Sequence, residues 1–209
     1  MTDTASRPSF RMPLWVRALI VVCIAAEAVL TIADLVGYPQ LRPAAFMLGA
    51  FWSPLLMQGV GLYPGQGVAM FLTYGLLHDG VLHLAMNMIS LAAIARELTR
   101  MIGSRAMALT YLVCQIAAAL LFAVMQPQAG PMIGASGAVF GLAGALVGYA
   151  AINLTRRHKS LAPLVRSVGL ILLLNVALTV MMPSIAWQAH LGGAGAGLLI
   201  GLALGLRKV

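Results

Sequence analysis

The sequence predicts an all-α integral membrane protein, a bundle of six transmembrane helices, and three observations predict it. Of its 209 residues, 61% are hydrophobic and 9% charged, far from the balance of a water-soluble domain. Apolar windows long enough to cross a hydrocarbon core, roughly 20 residues each, fall at about 14–36, 80–99, 105–125, 135–153, 164–182 and 187–206. The basic residues gather between these windows rather than along one face.

The first window follows Arg7, Arg11 and Arg17. It runs longer than the apolar core of a signal peptide and five further windows follow, so it is expected to be a retained first span. With the amino terminus cytoplasmic, the inner ends hold Arg7, Arg11, Arg17, Arg96, Arg100, Arg105, Arg156, Arg157, Lys159, Arg166, Arg207 and Lys208, and only Arg42 lies outside. The positive-inside rule asks for that distribution. Residues 1–13 are then a short cytoplasmic segment, 14–206 the transmembrane domain and 207–209 a cytoplasmic end. Topology accounts for the net charge of +8, so the expected partner surface is the lipid bilayer and not nucleic acid. Cys23 and Cys114 both fall in apolar runs, as two buried thiols with neither a disulfide framework nor a metal site, and no cofactor motif is present.

The connection from about 37 to 70 is the longest. It carries Pro39, Pro43, Pro54 and Pro64, yet also the apolar runs "AFMLGAFW" and "PLLMQ". An irregular, apolar segment at the outer interface is expected, where such loops often act as lids or gates.

Polar groups inside spans are costly enough to mark functional candidates. Ser136 stands at the start of the fourth span, His190 near the start of the sixth, and His83 and Asn87 in the first turns of the second. Alternating span direction puts all four at the outer end. At 100° per residue His190, Gly193, Gly197, Gly201 and Gly205 share one stripe, and the fourth span has its own in Gly137, Gly141, Gly144 and Gly148. Glycines four apart let helices approach closely in lipid, so these two spans are expected to pack directly and bring Ser136 to His190. A packing stripe alone would explain the glycines. It would not explain His83 and Asn87, four apart on one face, as two donors suited to an oxyanion. Backbone N–H groups at the start of the Ser136 helix add to them, and a histidine near neutrality can take the serine proton. No acidic third member is evident among the motifs, so a Ser136–His190 dyad is the economical reading.

These residues resemble the rhomboid intramembrane serine proteases over about Leu14 to Leu206. "GASG" is similar to the family's G-x-S-G with the nucleophile at Ser136; "AHLGGAGAG" to its A-H-x-x-G-x-x-x-G with the base at His190; "HLAMN" to its H-x-x-x-N at His83 and Asn87. The resemblance implies peptide-bond hydrolysis in or beside the transmembrane segments of membrane-protein substrates, through an acyl-enzyme on Ser136. It implies oxyanion donors from His83, Asn87 and the backbone at Ala135 and Ser136, with Gly134, Gly137, Phe140, Gly193 and Gly197 supporting the site. It also implies a multi-pass protein, of a bacterial cytoplasmic membrane by analogy. His78 takes the place of a frequent extra histidine. Two departures stand out: a Trp-Arg pair common in the long loop of relatives is replaced by "VAMFLTYG", and Phe140 stands where a Tyr often stacks on the catalytic histidine. A catalytically silent relative that binds membrane-protein clients is the alternative; such relatives lack the serine or histidine, and this chain keeps both.

Three acidic residues complete the reading. Glu27 is expected to be protonated or bonded to Gln115 or Asn175, Asp79 to cap the second span, and Glu97 to pair with Arg100 or Arg105.

Overall fold

The computed structural model describes residues 12–59, 61–166, 168–170, 173 and 186–207. In chain order the elements are α1 (Leu14–Leu35), α2 (Leu41–Gly49), α3 (Ser53–Gln58), α4 (Gln66–Thr73), a 3-10 turn (Tyr74–Leu76), α5 (Val81–Ile102), α6 (Ser104–Met125), α7 (Ser136–Arg156) and α8 (Trp187–Arg207). Among the described residues, α1, α5, α6, α7 and α8 are long and apolar enough to cross a membrane, and each end lies within three residues of its sequence window. The window at 164–182 lies largely outside the described residues; 162–166 and 168–170 are helical.

Among the described helices, α7 and α8 form the most extensively packed pair. Their glycine stripes face each other and run parallel: Gly193 lies on the carbonyl of Gly137, Gly197 on that of Gly141 and Gly201 on that of Ala145. A Cβ on any of the three would strike backbone, so the approach depends on their lacking one. Helix α6 backs the pair, with Ala118 against Gly137 and Cys114 against Gly141. At the far end Arg156 donates to the carbonyls of Gly205 (2.8 Å) and Leu206 (3.0 Å). A cation there satisfies carbonyls that a helix C-terminus leaves open.

A second apolar cluster joins α1, α5 and α7 through Cys23, Leu84, Leu91, Val139 and Leu142. Both cysteines are buried and free.

The long connection is not irregular. It folds into α2, α3 and α4, because its prolines sit where a missing N–H costs nothing: Pro43 in the first turn of α2, Pro54 in that of α3 and Pro64 just ahead of α4. It is also tied down. Phe51 and Met132 exchange backbone hydrogen bonds of 2.9 Å, and Ser53 N–H donates to the Ala129 carbonyl at 3.1 Å. The Gln66 side chain bridges three backbone groups within the loop, accepting from Leu62 N–H at 2.7 Å and donating to the carbonyls of Met47 (2.7 Å) and Leu48 (3.3 Å).

Two acidic residues depart from expectation. Among the described residues Glu27 bonds neither Gln115 nor any group of α6, and Asn175 lies outside them: it pairs with Arg42 of α2 at 2.9 Å and accepts from Thr31 at 3.1 Å. Window reading could not bring a loop cation to a mid-span carboxylate. Asp79 does not cap α5, whose N-cap is Gly80 at φ +88° with no side-chain cap bond. Glycine adopts that backbone without strain, so the helix starts one residue later than a capping Asp79 would require. Glu97 pairs with Arg100 at 3.4 Å on the surface, as expected.

His78 lies between the 3-10 turn and α5, 1% exposed, with neither ring nitrogen hydrogen-bonded. Burial, and then the neighbouring His83, push its pKa from 6.5 down to about 4. Between those values the unfolded chain binds a proton that the folded chain does not, so stability falls as pH falls through that window, by roughly 2 kcal/mol from pH 7.5 to 5. Melting temperatures in detergent are expected to drop over that range, and His78→Phe to lessen the drop. An equal acid loss in the variant would show that another group causes it.

Candidate active site

Ser136 is the first residue of α7, and the side chain of its N-cap, Ala135, makes no capping bond. The first intrahelical bond there runs from Val139 N–H to Ala135 O at 3.0 Å. Backbone N–H groups in the turn before Val139 therefore have no intrahelical acceptor, as at any helix start, and together with the helix dipole they favour negative charge beside Ser136. Gly134 leads in with φ +108°. Its N–H is held by the Tyr74 carbonyl at 2.9 Å, and Tyr74 in turn donates its hydroxyl to the Gln115 carbonyl at 2.7 Å.

His190 enters from the first turn of α8. Its Nε2 lies 2.9 Å from Ser136 Oγ, a distance for proton transfer as it stands. Phe140, one turn into α7, lies flat on the imidazole with ring centroids 4.4 Å apart and planes 15° apart. Ser136 and His190 are both half-buried.

The opposite wall comes from α5. The His83 ring lies against Gly134, where an added Cβ would sit 2.8 Å from Nε2 and from Cε1. Gly134 is therefore required twice, by its φ and by this contact. His83 Nδ1 accepts the backbone N–H of Asp79 at 3.3 Å. With Nδ1 an acceptor, the ring proton of the neutral imidazole belongs on Nε2, the nitrogen that faces Gly134. Asn87, one turn along α5 and 5% exposed, donates through Nδ2 to the His83 carbonyl at 2.9 Å, and its Oδ1 has no hydrogen-bond partner. One hydrogen of that amide is spent within α5 and the second remains to be offered. His78 stacks edge-on to His83, with centroids 5.1 Å apart.

Motif reading did not find the partner of Glu27 or the link that joins the loop to His78. Arg42 donates to Glu27, Asp34 and the His78 carbonyl. Its isolation from the other basic residues was the available signal.

Residues 65–207 match the sequence profile of the Rhomboid domain. The chain belongs to the rhomboid family. This rhomboid chain is similar to RHOMBOID-like protein 4 of Arabidopsis thaliana, 37% identical over 131 residues that make up 63% of this chain and 32% of that protein. It is similar as well to Rhomboid protease GluP of Bacillus subtilis, 35% identical over 137 residues, 66% of this chain and 26% of that one. With RHOMBOID-like protein 1 of Arabidopsis the identity is 34% over 131 residues, 63% of this chain and 33% of the relative. The chain thus spans about a third or less of the length of these relatives. Family membership and the apolar helices make it an integral membrane protein. The profile match begins at Gly65, so α1, α2 and α3 lie ahead of it.

Proposed function

We propose that this rhomboid chain is an intramembrane serine protease that cleaves peptide bonds in or next to the transmembrane segments of membrane-protein substrates. The observation that carries the reading is the 2.9 Å contact between Ser136 Oγ and His190 Nε2 at a helix N-terminus. In the reaction Ser136 Oγ attacks the scissile carbonyl carbon while His190 Nε2 takes its proton. The carbonyl oxygen becomes an oxyanion and receives hydrogen bonds from His83 Nε2–H, the second amide hydrogen of Asn87 and backbone N–H groups about Ala135 and Ser136. His190 then returns its proton to the departing amine, leaving an acyl-Ser136. Water, deprotonated by the same histidine, releases the acid and restores the serine. Gly134, Gly137, Gly193 and Gly197 let the backbones approach, and Phe140 holds the imidazole plane.

The working unit in this reading is 14–206, because Arg42, ahead of the profile match, donates to the His78 carbonyl beside the site. In this reading both ends of the transmembrane domain face the cytoplasm and Ser136 lies at the opposite face, in a bacterial cytoplasmic membrane by analogy; the charge distribution supports that orientation. Substrate helices that unwind easily, with small residues at the cut and Gly or Pro beyond it, should be cleaved best.

The test is a fluorophosphonate applied to detergent-purified chain, with mass mapping of the adduct. Labelling is expected on Ser136, alongside cleavage of a transmembrane substrate. Asn87→Ala is expected to fold and label slowly, with turnover down by about 10²–10³, the typical cost of one oxyanion donor. An unlabelled, folded wild type that still binds membrane-protein clients would favour the silent relative. Wild-type turnover in Asn87→Ala would remove it as a donor.

A further inference from the structure

All three nitrogens of the Arg42 guanidinium are engaged. Nε donates to Asp34 at 2.8 Å; Nη2 pairs with Glu27 Oε1 at 2.9 Å and reaches Thr31 at 3.4 Å; Nη1 donates to Glu27 Oε2 at 3.1 Å and to the His78 carbonyl at 3.3 Å. The two carboxylates anchor the cation to α1, and the Glu27 side chain is only 2% exposed. The remaining contact is of another kind. The His78 carbonyl and the Asp79 N–H belong to one peptide group, and that N–H is the donor to His83 Nδ1 at 3.3 Å. A cation bonded to an amide oxygen draws electron density from the nitrogen and strengthens the N–H as a donor, the cooperativity expected in hydrogen-bond chains of low dielectric. It also fixes the orientation of the peptide plane.

We propose that Arg42 is a positioning residue for the oxyanion site: through the 78–79 peptide it holds His83 in the tautomer and orientation that aim an Nε2–H past Gly134 toward Ser136. The long connection then serves the site as a rigid support rather than a moving lid, since its first helix carries the cation and its Phe51 bonds Met132, just ahead of Gly134. The inference rests on the proposed roles of Ser136 and His83. Lysine cannot replace this arginine, because one ammonium on a flexible stem cannot meet the planar set of acceptors, although it can keep the charge beside Glu27.

The experiment compares Arg42→Lys with the wild type, each also in a His83→Ala background, in the full-length chain in detergent, reading kcat and KM on a transmembrane substrate and fluorophosphonate labelling. Arg42→Lys is expected to lower kcat by about tenfold and leave KM within about twofold, less than the loss of a whole donor. In the His83→Ala background the same change should alter kcat by less than about twofold, since two residues acting through one contact are not additive. A merely structural role would lower both backgrounds alike, and that result overturns the proposal, as does full kcat in Arg42→Lys. Should Arg42→Lys fail to fold, the Glu27→Gln, Arg42→Gln pair, which leaves no buried carboxylate unpaired, takes its place in the same comparison. A wild type that neither labels nor cleaves removes the protease reading and this proposal with it. A labelled wild type beside a fully active Arg42→Lys overturns this proposal alone.

Discussion

His190→Ala is expected to abolish both cleavage of a transmembrane substrate and labelling of Ser136 by a fluorophosphonate, and Ser136→Ala to do the same. Both readouts need an activated serine, and the only activating contact described for Ser136 Oγ is His190 Nε2 at 2.9 Å. When nucleophile and base act as one unit, losing either costs on the order of 10⁶ in kcat, and losing both costs little more. The double variant should therefore be no slower than either single one. Neither substitution fills space, so folding should survive, which thermal melts in detergent can establish. Normal proteolysis by folded His190→Ala would eliminate the dyad.

Gly197→Ala is expected to cost about 10²-fold or more in turnover, less than loss of the dyad, by a route that never touches the chemistry. A Cβ at Gly197 would strike the carbonyl of Gly141, and backbone cannot rotate away as a side chain can. Helices α7 and α8 would have to separate, at a cost of about 1–3 kcal/mol or more for overpacking. They carry Ser136 and His190 respectively, and a misplacement of about 1 Å can cost on the order of 10²-fold in rate. Gly195 supplies the control two residues away on the same helix, because among the described residues an added Cβ there meets nothing within 4 Å. Gly195→Ala is expected to keep turnover and melt no lower than wild type, while Gly197→Ala loses both. Matching behaviour of the two variants would mean that the helices are not held at backbone contact.

Why the spans could be read and the loop could not follows from the constraints on each. A helix crossing hydrocarbon must be about 20 residues long, apolar and internally hydrogen-bonded, so composition alone delimits α1, α5, α6, α7 and α8. Short connecting helices of six to nine residues meet no such demand, and prolines that open them look like loop signals until their register is known. Ser136, His190, His83 and Asn87 were visible because polar side chains in apolar windows are rare, and the glycine stripes were visible because their spacing is helical.

By itself, then, the sequence determined the number and order of the described spans, the pairing of α7 with α8, and the residues available for chemistry. Those properties depend on local composition and on periodicity along one helix. Only the tertiary structure decided that Glu27 answers Arg42 rather than Gln115, that Asp79 serves through its backbone N–H instead of capping α5, and that this N–H sets which nitrogen of His83 carries the proton. Each is a contact between segments far apart in the chain, chosen by geometry among several partners of equal chemical suitability. A buried carboxylate needs a cation and an imidazole needs a donor, but only the packing of α2 against α1, and of the 78–79 peptide against α5, selects which one.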